Sequence, residues 1–301
     1  MASDALFSTL FSLGTSAYVA CFCAAVYATT PSPAVSTFAV LALTALPAIV
    51  AADLCGNDKA AEHILGSYRR EVFGTAAIVV LLCSTNAAVG HLGVEVEWPL
   101  HLALMMLCDT LSDGAQANPA VTLALWACGD CGVDCATAAG NIGAQLAGGV
   151  IGWQLLLFGF AQHLPGAVGG PRADAAVPLE YLMACEALAC WVLACAVFTF
   201  ATTKCFAGPS SCKYALKMAL INASLRAVIH AHGLTGPSAN PALATTYAYV
   251  VSGGAWPGRD HLAVYWAGAC GGAMACGLAP NRVGGFSEAD VHRRRAVEPR
   301  A

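Results

Sequence analysis

Charge is scarce in this sequence. Asp, Glu, Lys and Arg make up 11% of its 301 residues, against 58% hydrophobic residues. Soluble domains carry about 25% charged residues. A chain so poor in charge cannot cover itself with a hydrated surface. That excludes a pair of ordinary soluble domains and points to hydrocarbon surroundings. The net charge of −4 and the aromatic content of 8% supply neither a basic footprint nor a stacking platform, which excludes nucleic acid as a partner. A Gly-rich phosphate loop, a catalytic triad and a paired acid–base motif are also missing. No enzyme is expected, and no cofactor or metal. The first residues, Met1 to Leu6, lack the basic region that opens a secretory signal, so a cleaved signal peptide is not expected.

Cysteine, by contrast, is abundant. The count of 15 is odd, and most of the thiols sit inside apolar runs (Cys21, Cys23, Cys83, Cys190, Cys195, Cys270 and Cys276). This is not the pattern of a disulfide framework; buried free cysteine behaves as a small hydrophobe. Cys128, Cys131 and Cys135 form a close cluster, and its first pair has the two-residue gap of zinc ligands. No second pair completes it, and it reads as a tight turn on the cytoplasmic side.

A hydrocarbon core of about 30 Å requires about 20 apolar residues per helix. Apolar runs cover residues 5–28, 34–52, 71–90, 98–113, 136–160, 180–202, 213–232 and 261–280. The first two, joined by a short breaker, form an amino-terminal hydrophobic hairpin within 1–60; the second of them contains Pro47 and either spans or lies at the interface. Two shorter apolar pieces, each too short to span, follow Asn118 and Asn240. Residues 281–301 form a polar, basic tail.

The second half echoes the first. Glu71 and Glu186 stand in matching apolar runs, and each run is followed by a hydrophobic segment that ends at an Asn-Pro-Ala. After each tripeptide comes a helix with glycines four apart, Gly148 and Gly152 in one and Gly268 and Gly272 in the other. That spacing lets membrane helices pack closely. Residues 71–160 and 180–280 are thus two copies of one unit, helix, helix, half-helix, helix, within a domain over 61–280. Three spans per unit insert the second copy upside down, as an inverted repeat. The expected fold is therefore an all-α membrane protein of two such repeats, with the amino-terminal extension. With this insertion Lys59, Arg69, Arg70, Lys204, Lys213 and Lys217 share one side with the basic tail, and the other side carries only Arg172 and Arg259 with Glu95 and Glu97. Basic loops face the cytoplasm, so both termini are expected there.

The tripeptides Asn118-Pro119-Ala120 and Asn240-Pro241-Ala242 each read as the start of a helix. Asn is a favoured N-cap, and Pro suits the first turn because its missing N–H would be unpaired anyway. A helix start presents free N–H groups and about half a positive charge. Irregular backbone at membrane depth is tolerated only inside protein or along a wet cavity. Two short helices from oppositely oriented repeats would meet there nose to nose.

On these residues the sequence resembles the aquaporin (major intrinsic protein) family from residue 71 to about 280. The resemblance is carried by residues 112–122 and 235–244, with support from Glu71, Glu186, Gln145 and the Tyr265-Trp266 pair. It implies a passive channel for water and small uncharged solutes such as glycerol or hydrogen peroxide, one pore per chain, in a homotetramer in the plasma membrane or an intracellular membrane. It further implies that the Asn118 and Asn240 side chains and the two helix ends meet the passing oxygen and repel cations. By the same resemblance Glu71 and Glu186, with Gln145, support the re-entrant loops.

The chain departs from the family where classical water channels place an Arg after the second tripeptide: it has Leu243, and Ala244 follows. The Leu resembles the superaquaporin branch. Family spacing places a narrow selectivity ring at Trp98 (or Glu97), Val228, Pro237 and Leu243, which is apolar. A non-conducting membrane scaffold with the same fold is the alternative. Asn222, Arg226 and His230 share one helix face. They are expected to face other helices, with Arg226 paired to Glu186 or Asp109, rather than to supply the pore with charge.

Overall fold

The computed structural model describes residues 58–129, 133–202, 211–231 and 233–278. The hairpin of 1–60 (but for its last three residues), Cys131, Lys204 and the 281–301 tail lie outside them. Among the described residues every regular element is helical. The helices are α1 (Asp58–Leu81), α2 (Val94–Leu111), α3 (Pro119–Cys128), α4 (Cys135–Gln154), α5 (Leu179–Thr202), α6 (Ser211–Ala231) and α7 (Pro241–Val251). The last, α8 (259–278), joins Arg259–Leu262, a wider π-type stretch Ala263–Gly268 and Ala269–Leu278. A similar π-type stretch, Leu155–Phe160, extends α4.

Among the described residues three stretches are long and apolar enough to cross a membrane: Gly66–Leu92, Thr137–His163 and Leu179–Phe200. Large apolar side chains such as Phe73, Phe158, Trp191 and Leu216 remain exposed, as on a surface that meets lipid rather than water. Glu71 stands in the interior of α1, since that helix begins at Asp58, 13 residues before the apolar run it was expected to open. The polar first turns, Asp58 to Arg70, hide the helix from a reading that follows apolar residues alone.

Close packing rests on glycine. A Cβ on Gly148 would lie 2.3 Å from the carbonyl oxygen of Val72, and one on Gly152 would lie 2.7 Å from Val79 Cβ, so α4 presses its backbone onto α1. On α8, a Cβ at Gly268 would lie 2.6 Å from Met183 O and one at Gly272 would lie 1.9 Å from Ala187 O, so α8 does the same to α5. The short helices are exchanged between halves. α3 packs on α8, where a Cβ at Gly277 would meet Ala124 O at 2.4 Å. α7 packs on α4, where a Cβ at Gly149 would meet Thr246 Oγ1 at 2.5 Å. Helices α2 and α6 close a seam between the halves.

Candidate functional site

Each short helix starts at its tripeptide for the same local reason. Asn118 is extended (φ −154°), and its Oδ1 accepts from Ala120 N at 2.9 Å, with Pro119 in the first turn. Asn240 is extended (φ −151°), and its Oδ1 accepts from Ala242 N at 3.1 Å, with Pro241 in the first turn. The other end of each amide reaches across. Asn118 Nδ2 donates to Ala239 O at 2.7 Å, and Asn240 Nδ2 donates to Ala117 O at 2.8 Å. The two helix starts are thus stitched nose to nose by a reciprocal pair of bonds. A primary amide carries two hydrogens, so each Asn keeps one donor beyond the stitch.

The residues before the two asparagines are held in an unusual conformation. Ala117 has φ +50° and Ala239 has φ +45°, the left-handed region that costs an L-residue about 1–2 kcal/mol. A buried carboxylate braces each turn. Glu71 accepts from Gln116 N at 2.8 Å and Ala117 N at 2.7 Å. Glu186 accepts from Ser238 N and Ala239 N, both at 3.2 Å. Gln145, fully buried, donates through Nε2 to Glu71 Oε2 at 2.8 Å and to Thr122 Oγ1 at 2.9 Å. Thr122 in turn donates to Gln116 Oε1 at 2.6 Å. In the second half Ser238 Oγ donates to Asn240 O at 2.6 Å, and the Tyr265 hydroxyl donates to Thr235 O.

The residues of the expected ring are distributed over different neighbours. Trp98 Nε1 donates to His230 Nε2 at 3.3 Å. Val228 packs with Ala120, Ala189, Cys190 and Ala239. Leu243 packs in a separate apolar cluster with Val79, Val150, Trp153 and Tyr247, and its carbonyl accepts from Trp153 Nε1 at 3.1 Å. Pro237 is half-buried in the turn before Ser238.

One expectation is corrected. The polar stripe of α6 faces α2, and Arg226 pairs with Glu97, not with Glu186 or Asp109. Glu186 is occupied by the turn before Asn240, and Asp109 accepts from the Tyr214 hydroxyl at 2.6 Å. Asn222 Oδ1 meets His101 Nδ1 at 2.6 Å. The role of His101 could not be read from the sequence, nor could those of Thr122, Trp153 and the two left-handed alanines. An acid at the edge of one apolar run and a base inside another were the one available signal for Glu97 and Arg226.

With this geometry in place, the comparison with known families decides the identity. The family model described as Major intrinsic protein matches residues 18–279. The chain belongs to the major intrinsic protein family. It is an integral membrane protein, and the family consists of channels for water or small solutes rather than enzymes. Among curated proteins it is similar to aquaporin NIP1-1 of Oryza sativa subsp. japonica. The two are 30% identical over 123 residues, which is 38% of this chain and 43% of the rice protein. The match spans less than half the length of that relative.

Proposed function

We propose that the chain is a passive channel for water and small uncharged solutes, glycerol and hydrogen peroxide among them, with its narrow point at the stitched asparagines. The observation that carries this reading is the reciprocal pair Asn118–Ala239 and Asn240–Ala117. It holds two helix N-termini against each other and leaves each Asn with a spare N–H. A solute oxygen between them meets two donors and two positive helix ends. An ammonium-like or metal cation meets only repulsion. The two halves, 71–160 and 180–280, are an inverted repeat on this reading. The exchanged packing of α3 on α8 and of α7 on α4 supports it.

Trp98, Val228, Pro237 and Leu243 line the outer constriction in this proposal. Helix α6 adds no unbalanced positive charge to that constriction, because Arg226 is neutralised by Glu97. It therefore admits neutral solutes beyond water. Both termini face the cytoplasm, and four chains assemble with one pore each.

The test is osmotic shrinkage of vesicles containing the purified protein. Wild-type vesicles are expected to shrink faster than empty ones. Asn118→Asp and Asn240→Asp should slow the shrinkage or open a cation leak, because a carboxylate cancels the positive field. Wild-type vesicles no faster than empty ones would favour a non-conducting scaffold. Unchanged flux and ion conductance in both variants would remove the asparagines from the pore.

A further inference from the structure

Half of the described cysteines fit the reading of thiols as small apolar filler: Cys108, Cys128, Cys185, Cys190 and Cys270 are buried. One pair is placed differently. The contacts of α5 with α8 advance in the same direction along both helices, from Met183 against Gly268 to Ala187 against Gly272. The two helices therefore run parallel, with their backbones in direct touch at the glycines. One turn beyond Gly272 and two turns beyond Ala187, the side chains of Cys276 and Cys195 meet end to end, Sγ to Sγ at 3.1 Å. A cysteine side chain is one carbon and one sulfur long. Two sulfurs can touch only where the backbones are close, which brings the pair near the Cα and Cβ separations that a disulfide needs. Both residues are only partly buried and lie near the ends of their helices, seven residues before Thr202 and two before Leu278, where a small uncharged oxidant can reach them.

We propose that Cys195 and Cys276 form an oxidisable pair, a covalent modification site at which a peroxide closes a disulfide between α5 and α8. The sulfur of one thiolate attacks the peroxide O–O bond and becomes a sulfenic acid, and the other peroxide oxygen leaves as water after protonation. The second thiol then displaces the sulfenic hydroxyl. The S–S bond forms, the second thiol's proton leaves with the hydroxyl, and a second water is released. In sum two thiols lose two electrons and two protons to one hydrogen peroxide, which becomes two waters. The sulfurs must approach by about 1 Å to reach bonding distance. The tie would fasten α8 to α5 one residue before Gly277, where α8 holds the re-entrant helix α3 against its backbone. The site is independent of what the pore conducts.

The experiment uses the full-length protein in vesicles. It is treated with stoichiometric hydrogen peroxide, its remaining thiols are alkylated after denaturation, and it is digested without reductant for mass spectrometry. The expected result is a pair of peptides joined through Cys195 and Cys276 and separated by dithiothreitol, while Cys190 and Cys270 stay alkylatable. Cys195→Ser and Cys276→Ser should each lose the cross-link, and in one of the two the remaining thiol should become a sulfenic acid that dimedone traps. The thermal midpoint should rise on oxidation in the wild type and not in Cys195→Ser. Equal alkylation of Cys195 and Cys276 with and without peroxide would overturn the proposal. So would a cross-link of Cys276 to Cys128, or one that forms only after the protein is unfolded.

Discussion

The turns before Asn118 and Asn240 solve one problem with unequal means. Both force an alanine into the left-handed region just before an Asn, and both pin the turn by two N–H bonds to a buried Glu. In the first half those bonds are 2.8 and 2.7 Å, and Gln145 adds a third donor to the same carboxylate. In the second half they are 3.2 Å each; the Tyr265 hydroxyl braces the chain further back, at Thr235, instead of touching Glu186. The bracing acid is common to both halves, and the element that braces the acid is not. Two turns can thus share their local chemistry while each finds its own support from the helix packed behind it.

The largest effects should come from the glycines that let those supporting helices approach. Gly272→Ala places a Cβ on the backbone oxygen of Ala187, and Gly148→Ala places one on that of Val72; backbone cannot rotate away. Overpacking of this kind costs about 3 kcal/mol or more. The yield of folded protein in detergent should fall for both, and more for Gly272→Ala, whose approach is the tighter. Equal, near-normal yields would mean that the helices have more room than their contacts imply.

The carboxylates come next. Glu71→Gln and Glu186→Gln each leave a buried N–H without a full acceptor, at about 1–3 kcal/mol. The loss should be larger for Glu71, which accepts three shorter bonds. Unfolding midpoints measured side by side test the order; a larger loss at Glu186 would reverse the comparison. Gln145→Leu should cost about 1 kcal/mol through its bonds to Glu71 and Thr122. In double-variant cycles it should be non-additive with Glu71→Gln and additive with Glu186→Gln. Additivity in both would show that Gln145 does not act through Glu71.

Smallest of all should be Ala117→Gly and Ala239→Gly. Relief of the left-handed backbone, about 1–2 kcal/mol, offsets the lost buried methyl and the entropy of glycine. Net changes in unfolding free energy below about 1 kcal/mol are expected. A loss of several kcal/mol in either would mean that the alanine methyl packs more tightly than its backbone is strained.

The amino-acid sequence by itself determined that the chain lives in a membrane. Too few charges and too many long apolar runs leave no other solvent for its surface. It also determined that helices begin at Pro119 and Pro241, because N-cap Asn and first-turn Pro act within a few residues of themselves. The glycines four apart announced close packing for the same reason: a missing Cβ is visible in the letter. What those features meet was decided only by the tertiary structure. That Asn118 donates to Ala239, that Arg226 finds Glu97 rather than Glu186, and that Cys195 touches Cys276 are contacts across 81 to 129 positions. Spacing along the chain carries no information about which of several buried acids, carbonyls or thiols a side chain will reach. The left-handed alanines were hidden as well, since alanine carries no preference for that backbone. They are held there by carboxylates from helices 46 and 53 residues away, a constraint that exists only once the helices are packed.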